Sequence, residues 1–534
     1  MSVELINSAS NFIEMNSSNI KKYILLALVF GFSGAALFTS CDNHEMPRYA
    51  KYSAYEFSKL DADGGSWTPI LLESSSQISI AEPADVNSDE YQAELVSLKS
   101  KQANLSGKQR DAVNYWTNNP LLRWNEIALE LAAKYNLIPG PNPDGTYTLP
   151  NSANPEGPPA FPFAHPAYTS RMLAHLSVAQ FDALITTWNY KFEYNRLSPS
   201  HHDASIEAAY GNSDLPSYPS DGAAIAVVSR DILKAMFPLE VDYLNKKAEE
   251  HLESLQWAGV NVESDITAGA EIATAVVQVT MARARTDGMS KAQTPKPVSD
   301  SIAQSAFDRF GWKWENQEIP RRPVGLAPLY SKVKMWSVPN VEAVRPEPPP
   351  ALGSAEFKEA AAELKSMQDN MTEEMRKIAN WWSDGLGSYT PPGHWNKFAK
   401  DFIIKYKENP LRSARIMAYL NMAIQDAGIS CWDAKYHYHY PRPVQAIPGF
   451  KTILGTPNFP SYTSGHSTFS AAAASILSYV YPQEAALCDK WADEAAESRI
   501  YAGIHYRFDA EVGITQGKAV AEYTLDKMKA DGAD

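Results

Sequence analysis

The sequence predicts an all-α protein of two packed helical bundles that arise from an internal duplication. Three observations carry that expectation. Apolar residues recur at helical spacing through long stretches such as "SRMLAHLSVAQFDALITTW", "DGAAIAVVSRDILKAMF", "FKEAAAELKSMQDNMTEEMRKIANWW", "ARIMAYLNMAIQDAGISCW" and "HSTFSAAAASILSYVY". Gly and Pro punctuate the intervals, while the two-residue alternation of a half-buried strand is scarce. Finally, the chain matches itself when displaced by 244 residues, as from Ala174 to Ala418.

That displacement brings three separate blocks into register without a net gap. "AHLSVAQFDALITTWNYKFEY" from Ala174 lies over "AYLNMAIQDAGISCWDAKYHY" from Ala418, matching Asp182 with Asp426, Trp188 with Trp432 and Lys191 with Lys435. "PSYPSDG" from Pro216 lies over "PSYTSGH" from Pro460, and "WAGVNVESD" from Trp257 over "YAGIHYRFD" from Tyr501. Upstream, "VNYWTNN…RWNEIA" resembles "ANWWSDG…HWNKFA" at a slightly different offset.

Residues 1–41 read as a signal peptide. Lys21 and Lys22 precede the uncharged run "YILLALVFGFSGAALFTSC", which is short for a membrane span and ends at Cys41. A Cys after small and polar residues is similar to a bacterial lipoprotein cleavage site, although Phe38 stands where leucine is usual. Met15 gives this signal a more typical start than Met1. The expectation is an exported protein, periplasmic or anchored to the outer membrane through a lipid on Cys41. Membrane contact is then limited to that anchor. Residues 42–105 form an N-terminal extension. Residues 106–290 hold the first, degenerate copy of the helical module, and residues 354–534 the second. Between them, residues 291–353 are a Pro-rich connection that includes "IPRRP" and "RPEPPPALG".

Composition narrows the function classes. With 44% hydrophobic and 21% charged residues the chain is an ordinary globular one. Its net charge of −14 argues against a nucleic-acid surface, so an anion has to bind in a local basic pocket. After processing at Cys41 only Cys431 and Cys488 remain, which excludes a disulfide framework.

The two copies differ where chemistry is concerned. The first has Ser198, Gly222, Leu255 and Asn261 where the second has Arg442, His466, Arg499 and His505. Packing residues survive in both, so an active site belongs to the C-terminal bundle. Three clusters there fit an oxyanion site: Lys435 with Arg442-Pro443, Ser464-Gly465-His466 opening a helix, and Ser498-Arg499 followed by His505 and Asp509. Two guanidinium forks and an ammonium neutralise a tetrahedral oxyanion. Ser464 adds a hydroxyl, and Gly465 a backbone N–H at a helix start that favours anions. His505 and Asp509 are four apart, so the carboxylate can hold one ring N–H and leave the other nitrogen basic. His466 is then available as acid and base from the other side.

In order, these clusters read K-x6-RP, SGH and SR-x5-H-x3-D, and they resemble the signature shared by type 2 phosphatidic acid phosphatases and vanadium-dependent haloperoxidases. The resemblance covers the C-terminal half; over the first half it rests on the helical pattern and the repeat. Soluble haloperoxidases of this superfamily have two helical bundles and often form dimers, which allows a homodimer here. The resemblance makes His505 the covalent vanadium ligand of a bound vanadate, or in a phosphatase the nucleophile that forms a phosphohistidine. It puts Lys435, Arg442, Ser464, Gly465 and Arg499 on the non-bridging oxygens and His466 at the apical oxygen or leaving group. Asp509 orients His505.

Three functions stay open at this stage. A haloperoxidase oxidises halide with hydrogen peroxide to hypohalous acid. A soluble periplasmic acid phosphatase hydrolyses phosphomonoesters in the same cradle. A surface binding protein keeps the fold inert, although intact His466, Arg499 and His505 speak against that. "FPSYTSGHSTFSAAAA" and "CWDAK" are similar to bacterial haloperoxidases, especially iodide-oxidising ones. Trp432 and Phe459 offer aromatic walls for a polarizable halide or, equally, ordinary core packing. Thr463 replaces the proline common before SGH. His437 and His439 lack the Cys, Asp or Glu partners of a zinc box and read as loop or pocket-wall residues. His394 lies near an aromatic, as a support of the site or as packing.

Overall fold

A polar side chain followed by proline starts each of the two longest helices. The computed structural model describes residues 57–117, 119–137, 163–209, 214–318 and 321–533, all within one unit, Tyr52–Asp534. The proposed signal segment and Cys41 lie outside the described residues. His165 and Asn409 cap the first free N–H groups, and Pro166 and Pro410 occupy the first helical positions, where no N–H is needed. Each helix then runs 29 residues and stops at a left-handed residue, Asn195 (φ 49°) or His439 (φ 51°).

Fifteen helices of nine or more residues make up the described chain, with no strand among the described residues. They are α1 (Asp89–Gln102), α2 (Gly107–Trp116), α3 (Pro120–Tyr135), α4 (Pro166–Tyr194), α5 (Asp221–Met236), α6 (Val241–Trp257), α7 (Glu263–Thr286) and α8 (Lys296–Phe310). The second half adds α9 (Ala355–Asp369), α10 (Glu373–Trp381), α11 (Thr390–Lys405), α12 (Pro410–Tyr438), α13 (Gly465–Val480), α14 (Ala485–Tyr501) and α15 (Arg507–Lys529). None of the described helices is long and apolar enough to cross a membrane.

The offset of the sequence recurs in space. Helices α4, α5 and α6 begin 244 residues before α12, α13 and α14, and the short turn Pro238–Glu240 precedes Pro482–Glu484 by the same interval. Equivalent ion pairs brace the two halves: Arg171 Nε to Asp287 at 2.6 Å and Arg415 Nε to Asp531 at 2.7 Å. Helices α4 and α12 pack on each other at the centre and are buried on nearly every side, the polar side chains they carry included. Between the halves runs a buried polar ladder. Asn125 donates to Asn396 (3.0 Å), Asn396 to Asn421 (2.7 Å) and Asn421 to Ser177 (3.0 Å).

The expected Pro-rich connection departs from a simple linker. It opens with helix α8 and continues as a strap whose Leu326, Tyr330, Val333, Trp336 and Val338 are buried in the same core as both bundles. The strap is held by a carboxylate: Asp426 on α12 accepts the backbone N–H groups of Trp336, Ser337 and Val338. Asp182 on α4 accepts those of Ile70, Leu71 and Leu72 in the N-terminal extension. A carboxylate satisfying three main-chain donors lets an extended segment lie buried without orphaned N–H groups.

Candidate active site

The end of α12, the start of α13 and the end of α14 meet at one point, and the loop before α15 closes it. Ser464 is the N-cap of α13, with its hydroxyl accepting from Ser467 N–H, and Gly465 is the first helical residue. Helix α15 is drawn against α13 through Gly517, where a Cβ would sit 2.3 Å from the Thr468 carbonyl. That close approach brings Asp509, in the first turn of α15, beside the cap: Ser464 N–H donates to the Asp509 carbonyl at 2.8 Å.

Three buried cations surround this point. Arg442 donates Nε to Phe459 O (3.0 Å) and Nη1 to Ile504 O (2.7 Å), with Nη1 also 3.0 Å from His505 Nε2. Its Nη2 is buried with no partner among the described residues. Arg499 donates to Ser498 Oγ and to the Ala379 carbonyl, which ties the end of α10 to the site. Burial lowers both guanidinium groups to about 10, a sign of how little water reaches them. Lys435 sends its ammonium to the carbonyls of Pro460 (3.0 Å), Ser461 (2.9 Å) and Thr463 (2.5 Å). Burial moves it well below the usual lysine range. The resemblance places Lys435 on an oxygen of the anion; here its three donors secure the loop, and its charge is what the cradle receives. The rings of Phe459 and Trp432 lie beneath these cations, with Lys435 Nζ 5.0 Å and Arg442 5.1 Å from the Phe459 centroid.

His505 is set by Asp509. Its Nδ1 is 2.8 Å from Asp509 Oδ2, which also accepts from Ser461 Oγ (2.5 Å) and Tyr506 N–H (3.2 Å). An ionised carboxylate can only accept, so Nδ1 carries the proton and the Nε2 lone pair faces Arg442. Burial first, then the nearby Arg442 and Lys435 charges, holds the imidazole well below its usual pKa and therefore neutral. His466, on the first turn of α13, is also held neutral by burial and by Arg499. Its Nε2 has no hydrogen-bond partner among the described residues and lies 3.7 Å from Asp384 Oδ2.

The residues that the sequence assigns to the cradle thus converge, with two additions. Ser461 and Asp384 had escaped notice. Ser461 has an identical counterpart, Ser217, and so looked like packing; Asp384 stands where the first copy has Asn118, a difference that the comparison of copies contains. His437 and His439 face away: His437 Nε2 meets Arg309 at 3.1 Å, and His439 Nδ1 accepts the Trp314 N–H at 3.0 Å. Asp433 pairs with Arg345 at 2.6 Å, and Trp432 Nε1 donates to Leu326 O, so both fasten the connection to α12. Cys431 and Cys488 are buried free thiols.

In the first half, the corresponding positions are occupied by ion pairs within the chain. Asp221 stands at the place of Gly465, and its carboxylate lies 3.1 Å from Lys191 Nζ. Arg196 pairs with Asp265 at 2.6 Å. The basic groups of this half are answered by the chain's own carboxylates.

Residues 415–530, which hold every element of the cradle, match the family described as PAP2 superfamily. This segment is a PAP2 superfamily domain. Beyond the PAP2 domain, the crystal structure described as the first bacterial vanadium-dependent iodoperoxidase superposes with a TM-score of 0.52 at 24% identity. The superposition covers 68% of this chain and 90% of that one, and it shows a shared all-α fold. Vanadium chloroperoxidase of Curvularia inaequalis is 28% identical over an alignment of 131 residues. That alignment covers 19% of this chain and 22% of the relative, so the chain spans about a fifth of the length of that curated protein.

Proposed function

We propose that this protein is a vanadium-dependent haloperoxidase that oxidises halide, iodide by preference, with hydrogen peroxide to hypohalous acid. The observation that supports it most directly is the neutral His505 whose Nε2 is presented to a dry pocket of three cations. That donor set suits a tetrahedral oxyanion: the unpartnered Arg442 Nη2 has room for one more acceptor, and the α13 N-terminus adds backbone donors. His505 Nε2 would ligate vanadium, while Arg442, Arg499, Ser464 and Gly465 would hold the oxygens under the field of Lys435. Bound vanadate would supply the Lewis acidity that makes hydrogen peroxide an oxygen donor to halide. His466 takes or returns the peroxide proton, Asp509 keeps the His505 tautomer, and the Phe459 and Trp432 faces favour a weakly hydrated, polarizable anion.

Phosphomonoester hydrolysis is the second reading, because His505 so arranged is also a nucleophile and His466 stands ready to protonate a leaving group. The matched family description favours this reading as much as the first. We also propose that the chain descends from a duplicated module whose second copy alone is catalytic. Export through residues 1–41, a lipid tether at Cys41 and assembly as a homodimer belong to the same proposal.

The deciding experiment incubates the chain beginning at Asp42 with orthovanadate and measures iodide oxidation by hydrogen peroxide, with and without excess phosphate. Vanadate-dependent turnover that phosphate suppresses supports the haloperoxidase. Hydrolysis of a phosphomonoester that vanadate inhibits, without iodide turnover, transfers the same residues to phosphatase roles. If His505→Ala leaves vanadate binding and both activities intact, the site assignment is wrong.

A further inference from the structure

Behind His466 lies a second histidine that the proposed chemistry does not use. His394, on α11, places Nδ1 3.2 Å from each Asp384 oxygen, and Asp384 in turn faces His466 Nε2 at 3.7 Å. Asp384 and His394 are almost entirely buried, while the His466 side chain keeps 16% exposure. His394 is immobilised by aromatic rings. Trp382 stacks on it at 4.5 Å, Phe398 lies at 4.9 Å and Trp381 at 5.2 Å edge-on. Trp382 is itself fastened, through Nε1 to Glu494 at 2.8 Å.

We propose that His394 is a positioning residue: it holds the Asp384 carboxylate in place, and that carboxylate sets the tautomer and direction of the His466 ring at the cradle. The inference rests on the reading of the cradle as an oxyanion site in which His466 moves a proton. Two observations carry it. The first is the orphaned His466 Nε2, whose nearest anionic acceptor is Asp384. An ionised carboxylate can only accept, so His394 donates through Nδ1–H, and the same carboxylate, 3.7 Å from His466 Nε2, draws that ring's proton to Nε2. The proton of His466 is then fixed on Nε2, beside Asp384, and Nδ1 keeps its lone pair. The second is the comparison of copies: Asp384, His394 and His466 are replaced together, by Asn118, Arg123 and Gly222. Arg123 has turned to other partners, Glu126 and the Tyr115 carbonyl. The three side chains are kept or lost as a set, as expected if they act as a set. Packing alone would not require the carboxylate and both imidazoles to vary with each other.

Arg499, Lys435 and the Trp382 carbonyl also face His466, so its ring is not held by Asp384 alone, and the test has to separate orientation from charge. Selective 15N labelling of histidine, with His466 assigned through His466→Gln, reports which ring nitrogen carries the proton without any bound vanadate. The wild type should show the Nε2–H form. His394→Ala should convert it to a mixture of tautomers and lower kcat about tenfold, the usual effect of removing a group that orients an active one. Orthovanadate affinity should stay within about twofold, because the cradle itself is untouched. His394→Gln, which retains a donor toward Asp384, should restore both readouts, and Asp384→Asn should reproduce the loss without leaving a cavity. A His466 tautomer that stays fixed in His394→Ala and Asp384→Asn overturns the inference, as does a failure of His394→Gln to improve on alanine. Absence of iodide oxidation and of phosphomonoester hydrolysis in the wild type instead overturns the proposed function, and the tautomer result still decides the role of His394.

Discussion

Asp509 Oδ2 lies 2.8 Å from His505 Nδ1, and this contact decides which ring nitrogen meets the three cations. The pair sits four residues apart across the start of α15: His505 precedes the helix, and Asp509 in its first turn also takes the Tyr506 N–H, which aligns the two.

Removing the acceptor should therefore cost activity more than binding. Asp509→Asn permits the opposite ring tautomer and should lower kcat roughly 10- to 100-fold, with a smaller loss of vanadate affinity. Steady-state kinetics beside calorimetric titration with orthovanadate separates the two, and equal losses in both would count against an orienting role.

Oxyanion affinity should weaken with rising pH from just above neutrality. Burial makes Lys435 surrender its proton well below the ordinary lysine value of about 10.4, and an anion binds better while the ammonium is charged. Tungstate is a suitable probe because it stays dianionic over this range. Titrations at several pH values should show the decline, and Lys435→Gln should bind more weakly throughout and lose that slope.

Acid should unfold the protein early. His165 and His251 are held neutral by burial, down to about 3, and His175, His466 and His505 are lowered in the same sense. The unfolded chain takes up those protons below about pH 6.5, so stability is complete above that value and falls as pH drops, by roughly 1.4 kcal/mol per unit for each group. Asp182 and Asp426, raised to about 6 by burial, and Asp509, raised likewise, act oppositely between their unfolded and folded values. With His202, His437 and His439 also lowered and Glu130 and Glu408 also raised, eight histidines stand against five carboxylates, which leaves a net loss. Urea midpoints at pH 7.5 and pH 5 should differ accordingly, and equal midpoints would contradict the buried neutral histidines.

The strap carboxylates should be more important to stability than their polarity implies. Asp426→Ala strands three backbone N–H groups, each costing about 1–3 kcal/mol when buried without a partner. A loss of roughly 3 kcal/mol or more should appear in equilibrium unfolding, with Asp182→Ala close to it. A loss under about 1 kcal/mol would mean that water reaches the strap.

Much of this molecule was legible before any coordinates. Apolar periodicity defines the helices because a helix buries a face at fixed spacing, and Gly and Pro mark the intervals between them. The cradle residues were readable because each copy serves as a control for the other: Arg442, His466, Arg499 and His505 stand out against Ser198, Gly222, Leu255 and Asn261. What remained hidden depends on approach between segments distant in sequence. Asp384 meets His394 and His466 only because α10, α11 and α13 converge, and no spacing along the chain encodes that meeting. The three carbonyls that take up the Lys435 donors are main-chain groups, which carry no sequence signature. Likewise, the 291–353 segment read as a linker because proline breaks periodicity, yet Asp426 turns it into part of the core. The sequence by itself determined which residues can bind an anion and where the helices lie; the tertiary structure decided which of their hydrogen bonds are already taken, because that depends on neighbours the chain supplies from far away.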